Sequence, residues 1–112
     1  MDKFDYSFRT TSNLRCTVLT LRGALTLAHI FELQAHLHAV DADLLLLDCA
    51  DLEYIDSAGL GVIVNAYVSQ SNNARKIAVV GVSDRVWALF TSTRVDQFFP
   101  RFPSLEAAEK SL

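Results

Sequence analysis

Leu44-Leu-Leu-Leu-Asp-Cys-Ala-Asp-Leu-Glu-Tyr-Ile-Asp-Ser-Ala-Gly-Leu-Gly-Val-Ile-Val64 is the stretch on which the reading of the fold turns. Four consecutive leucines do not alternate with polar residues, the mark of a central strand covered on both faces. A polar connection is expected after Leu47. At Asp56-Ser57 a new helix should begin, because a short polar side chain at that point accepts bonds from the first free N–H groups, and a carboxylate also suits the helix dipole. Either residue could serve as the cap. Gly59 and Gly61 then fall inside the first turns, where glycine is a poor helix former. They predict a first turn that must stay slim, for close packing or for an approaching partner. Ser57 is the first residue to consider for function.

Upstream, Phe4, Tyr6 and Phe8 alternate with Asp5, Ser7 and Arg9, a period-two strand. Ser12-Asn13 reads as a turn, and Leu14 to Arg22 alternates again, so the two runs form a hairpin whose second strand ends at Gly23. From Thr26, a plausible N-cap, the period becomes helical, with Leu27, Ile30, Phe31, Leu33, Leu37 and Val40 on the apolar side. Downstream of Ser57, a stripe of Leu60, Ile63, Val64, Tyr67 and Val68 continues a helix to a polar exit at Ser69–Asn73. Lys76 to Val82 is a second buried strand, followed by the cap-like Ser83-Asp84 and a helix with Val86, Leu89 and Phe90 inward. Trp87 falls off that stripe, either as an exposed contact residue or as a partly buried packing residue, the second carrying more weight. Gln97-Phe98-Phe99 suggests a short edge strand, and Ser104 is well placed to cap a terminal helix. The order predicts an α/β domain: a mixed sheet of four or five strands, an N-terminal hairpin and then parallel strands, with about four helices.

The chain has 112 residues, 51% of them hydrophobic and 21% charged, which predicts one globular domain over 1–112 with a sizeable core. A formal charge of −3 with scattered lysines and arginines excludes the basic face that nucleic acid requires. Cys16 and Cys49 lie inside apparent strands without CxxC spacing, as buried thiols in a reducing compartment would. Neither a signal-peptide layout nor an apolar run long enough to span a bilayer is present, so a cytoplasmic location is expected.

Catalytic patterns are missing. There is no GxxxxGK[ST] loop and no GxGxxG. A nucleophile elbow needs glycine two residues before its serine, where this chain has Ile55. His29, His36 and His38 all fall on the first predicted helix, and no acid or cysteine at ligand spacing completes a metal site. No enzymatic activity, metal or cofactor is expected.

Tyr54-Ile-Asp-Ser-Ala-Gly-Leu-Gly-Val-Ile-Val64 closely resembles the signature of anti-sigma-factor antagonists in the STAS domain family. The resemblance continues through Val79-Val-Gly-Val-Ser83, Val86 to Thr93, Asp96-Gln-Phe-Phe99 and Pro103 to Ala108. It implies a switch: the unphosphorylated antagonist binds a kinase-type anti-sigma factor, and phosphorylation at the position of Ser57 ends that binding. Implied partners are the anti-sigma factor acting as serine kinase and a resetting phosphatase, and the chain itself would be a monomer or weak dimer. The implied partner-binding residues are Asp56, Ser57, Ala58, Gly59, Leu60 and Gly61, with Ala24 and Thr26 from the preceding loop. Four positions depart from the pattern. Ala58 replaces a second hydroxyl, Ala24 and Thr26 replace two acids, and Arg94 replaces a glycine near the end of the third helix. The lost acids favour an alternative, a non-phosphorylated STAS subunit in a lipid-transport or stressosome-like assembly.

Overall fold

Side-chain alternation in the central strands sends successive residues to two different covers. Leu45 and Leu47 join one buried cluster with Leu19, Leu21, Ile77 and Val79, whereas Leu44 and Leu46 join a second with Cys16, Val18, Ala78 and Val80. A strand buried on both sides has no polar face, hence the run of four leucines. The computed structural model describes residues 3–11 and 15–111; the expected turn at Ser12-Asn13 lies outside them.

Five strands, β1 (Phe4–Thr10), β2 (Cys16–Leu25), β3 (Leu44–Ile55), β4 (Lys76–Val80) and β5 (Arg101–Phe102), form one sheet in sequence order. β1 pairs antiparallel with β2, and every later pairing is parallel. Four helices, α1 (Ile30–His38), α2 (Ser57–Asn72), α3 (Asp84–Ser92) and α4 (Leu105–Ser111), complete the chain. Crossovers of one hand, repeated in one direction, lay successive helices on the same face. Accordingly Leu33 of α1, Ile63 of α2 and Phe90 of α3 share the larger cluster. α4 covers the opposite face through Ala108, and the Ser104 hydroxyl caps it by accepting from the Ala107 N–H at 3.1 Å.

Several expectations are corrected. β2 does not stop at Gly23 but runs to Leu25. Gly23 adopts φ +89°, and a Cβ there would lie 1.9 Å from the Lys3 carbonyl oxygen. Glycine thus allows a kinked strand to continue. β3 does not give way to a connection after Leu47. It gains an extra residue against β2 between Asp48 and Asp51, and another between Leu52 and Tyr54. These bulges place Cys49, Leu52 and Ile55 inward at a spacing of three, so the polar residues between them mimic a loop.

Thr26 caps no α-helix: Leu27–His29 is a 3₁₀ turn and α1 begins at Ile30. The tighter turn shifts the helical phase, leaving Leu27 62% and Phe31 82% exposed. In α2 the buried set is Gly59, Leu60, Val62, Ile63, Ala66 and Gln70, while Val68 is exposed and the helix runs on through the expected exit to Asn72. Gln70 is held inside by donating from Nε2 to the carbonyls of Ala42 (3.1 Å) and Lys76 (2.8 Å). β4 ends at Val80, before the expected Val82. The edge strand is Arg101–Phe102, since Asp96–Phe98 forms a 3₁₀ turn. Trp87 is a packing residue, half-buried, stacked on Phe90 with centroids 4.9 Å apart and covered by the Arg101 guanidinium at 5.0 Å. Both thiols are free and buried, and burial pushes Cys49 up to about 12.

Two helices end in the same way. After α2, Ala74 takes φ +56°, the Arg75 N–H reaches the Gln70 carbonyl at 2.8 Å and the Ala74 N–H that of Ser71 at 3.1 Å. After α3, Arg94 takes φ +64°, the Val95 N–H reaches Phe90 at 3.0 Å and the Arg94 N–H reaches Thr91 at 3.1 Å. Both are Schellman closures whose left-handed residue is best glycine. The backbone that suits a glycine at position 94 is therefore retained here around an arginine. Arg94→Gly and Ala74→Gly are each expected to stabilise the fold by about 0.5–1 kcal/mol, the strain relieved less the added unfolded-state entropy. Thermal unfolding should show a rise of about 2–4 °C for each.

Candidate functional site

The parallel strands β2 and β3 overrun β4. β3 pairs with β4 only from Leu44 to Asp48, whereas its pairing with β2 continues to Leu25↔Ile55. This two-stranded extension carries the start of α2 to the carboxyl edge of the sheet, the edge at which open parallel sheets form their crevices.

Asp56 is the N-cap of α2, with extended backbone at φ −99° and ψ −179°. Its Oδ1 accepts from the Gly59 N–H at 2.8 Å and its Oδ2 from the Leu27 N–H at 3.0 Å. One carboxylate therefore caps the helix and also holds the loop after β2. The Asp56 N–H donates to the Leu25 carbonyl at 3.2 Å, closing the same junction through the backbone.

Because Asp56 does the capping, Ser57 is released from it. Ser57 is the first helical residue and is exposed, and its hydroxyl has no hydrogen-bond partner among the described residues. Ala58 is half-buried beside it. The two glycines have different reasons. A Cβ on Gly59 would lie 2.6 Å from the Leu25 carbonyl oxygen and 2.8 Å from Leu25 Cγ, so glycine is needed for the helix to seat on β2. A Cβ on Gly61 would meet nothing within 4 Å. Packing within the chain gives no account of that second glycine.

The other residues nominated from the sequence divide by burial. Leu60 (5% exposed) and Ala24 (4%) point into the fold and offer no side chain to a partner. Thr26 is half-buried, next to the exposed Leu27. The histidines are removed from any joint role: His29 packs on Phe4, His36 packs on Tyr6 and Phe8, and His38 is exposed. Among the described residues no group of three His, Cys, Asp or Glu side chains is placed to hold a metal ion. No described helix is long and apolar enough to cross a membrane.

A cleft of about 490 Å³ opens between the start of α2 and the outer face of α3, lined by Tyr54, Asp56, Ser57, Arg85, Leu89 and Ser92 among others. The Arg85 guanidinium lies 5.9 Å from the centroid of the Tyr54 ring. Neither Tyr54 nor Arg85 was nominated from the sequence as a site residue. The topology contains the signal: successive parallel crossovers set the N-termini of α2 and α3 side by side at one sheet edge, so the first turn of α3 must flank Ser57.

Comparison with known proteins fits this architecture. The family described as "Mlab, STAS domain" matches residues 8–104. The chain belongs to the STAS domain family. An anti-sigma-B factor antagonist of Listeria monocytogenes is 39% identical over 49 residues, which are 44% of this chain and 43% of that protein. The matched stretch thus spans less than half of that relative. Among solved structures, an anti-sigma factor antagonist from Mycobacterium paratuberculosis superposes with a TM-score of 0.85 at 19% identity, covering 97% of this chain and 93% of the other. The Bacillus cell-fate determinant SpoIIAA in its phosphorylated form gives 0.77 at 13% identity, covering 96% and 100%. A sulfate transporter family protein from Wolinella succinogenes gives 0.75 at 15% identity, covering 88% and 85%. At these identities the structural likeness speaks to the fold alone, and this STAS domain has the mixed sheet, a hairpin followed by parallel strands, and the four helices that its sequence led one to expect.

The two glycines should respond to alanine with opposite signs. Gly59→Ala is expected to destabilise by about 1–3 kcal/mol through overpacking on Leu25, and Gly61→Ala to stabilise by up to about 1 kcal/mol through helix propensity; urea unfolding reads both. Asp56→Ala should cost about 1–2 kcal/mol by uncapping α2. Asp56→Asn, which keeps one acceptor oxygen, should recover part of that loss in the same assay.

Proposed function

We propose that this STAS domain is a protein-binding module switched by phosphorylation of Ser57, acting as an antagonist of an anti-sigma factor that is itself a serine kinase. The observation that carries the reading is the division of labour at the start of α2. Asp56 satisfies the helix terminus, which leaves the adjacent Ser57 hydroxyl exposed and without a hydrogen-bond partner among the described residues. An exposed hydroxyl at a helix N-terminus can accept a phosphoryl group without unfolding anything. In the transfer, Ser57 Oγ bonds to the γ-phosphorus of ATP, the bond to the leaving ADP breaks, and the hydroxyl proton passes to a base on the kinase. The named similarity to an anti-sigma-B factor antagonist supports the partner class.

The expected consequence concerns binding. A phosphate adds about −1.5 to −2 charges, which the local helix dipole tolerates and the Asp56 carboxylate partly opposes. The folded state can hold it, whereas a partner seated over Ser57 meets both new charge and new bulk. Gly61, one turn further and open to solvent, supplies clearance for such a partner.

A second reading keeps the surface and drops the kinase: a non-phosphorylated STAS subunit of a transport or stressosome-like assembly. The observation favouring it is the end of β2 and the loop that follows, where Ala24 is buried in the strand and Thr26 brings no charge. Recovery of transporter subunits, with no kinase-fold protein, from a tagged full-length chain would support this second reading.

Incubation with the cognate kinase and ATP should label the wild-type chain and leave Ser57→Ala unlabelled, with phosphorylated protein binding the anti-sigma factor at least about tenfold more weakly. Equal phosphate incorporation in wild type and Ser57→Ala removes Ser57 from the mechanism.

A further inference from the structure

We propose that Arg85 is the internal counter-ion of a phosphate on Ser57, so that phosphorylation draws the first turn of α3 into the switch; this rests on Ser57 being the acceptor. Ser57 and Arg85 line opposite walls of one open cleft, and Arg85 is the one cation among its described lining residues. The ion pairs of the described chain engage Arg15, Arg22, Arg75, Arg101 and Lys110, and none involves Arg85. The neighbouring Asp84 does not compete for it, being held by Arg101 at 3.0 Å. Asp56 is not paired with it either, and both of its oxygens accept backbone N–H groups. Arg85 instead rests against the Tyr54 ring, 5.9 Å from its centroid, a weak contact for an exposed side chain.

The charge balance around the cleft favours the arginine. Asp56 adjoins Ser57 and Glu53 shares a neighbouring hollow with Arg85, so the surroundings are acidic, and Arg85 is the one cation among the described residues that line the cleft. A guanidinium offers two parallel donors to phosphate oxygens, a pairing stronger than its hold on an aromatic face. Arg85 therefore leaves Tyr54 and crosses the cleft. The surface presented to a partner changes at three places together: Ser57 gains a phosphate, Tyr54 loses its cover, and the positive charge of Arg85 is neutralised.

The test uses the full chain with phosphoserine installed at position 57 during translation, so that it does not depend on any kinase. Phosphorus NMR follows the second ionisation of the phosphate with pH. Carboxylates raise that midpoint and a paired guanidinium lowers it. The wild-type midpoint is expected about half a unit below that of Arg85→Gln, the size of an exposed ion pair. Arg85→Lys should fall between the two, and Arg75→Gln, at the opposite sheet edge, should match wild type. The Arg85 Nε–H resonance should move with the same midpoint. Identical midpoints in wild type and Arg85→Gln, or the same rise in Arg75→Gln, would overturn the proposal. A kinase that fails to label Ser57 would defeat the proposed function while leaving this measurement fully readable.

Discussion

The carboxylate of Asp56 is the constraint on which the site depends. Its two oxygens accept from Gly59 and Leu27, one N–H in the first turn of α2 and one at the entry to α1. A single side chain thus ties together a strand end, a helix start and a loop that are separated by nearly thirty residues of sequence. Charge-assisted bonds of this kind are among the stronger ones available to a folded chain, and both are made to backbone groups that would otherwise lack an internal partner. With the terminus satisfied in this way, the next residue is under no structural demand. The functional reading of Ser57 is a consequence of that freedom.

The glycines show how the same residue type answers two different needs. Gly59 is dictated from within, because the backbone of α2 approaches the Leu25 carbonyl too closely for a Cβ. Gly61 faces open space. In an exposed helix position glycine costs stability that alanine would restore. On the function proposed above, that glycine leaves room for a docking surface. Burial separates the two where sequence could not.

Much of the fold was legible in advance because its signals are local. The hairpin, the buried strands, the helix start at Asp56-Ser57 and the caps at Ser83 and Ser104 follow from alternation and from short polar side chains at helix ends. What escaped was set by register. The bulges in β3 turn period two into period three, and no residue between Asp48 and Tyr54 announces them. Gly23 reads as a stop because glycine usually marks one, yet here it carries the strand through a positive φ. The 3₁₀ turn before α1 rotates Leu27 and Phe31 outward while leaving the spacing of the apolar residues intact. In the site, the helix start at Asp56-Ser57 was visible from one contiguous motif. Arg85, almost thirty residues later, becomes a neighbour only through the parallel packing of two crossovers.

The sequential strand order has a consequence for assembly. Each strand lies beside its predecessor, so adding a strand closes a loop no longer than one helix and its flanking turns. A chain emerging from its N-terminus can therefore build the sheet one unit at a time. β2, β3 and α2, with the bridge through Asp56, are contained in the residues up to Asn72. The wall bearing Arg85 is added only after β4 has docked and α3 has folded over it. The hydroxyl of Ser57 is thus in place before the cleft that encloses it, and maturation of the site is the arrival of its second wall.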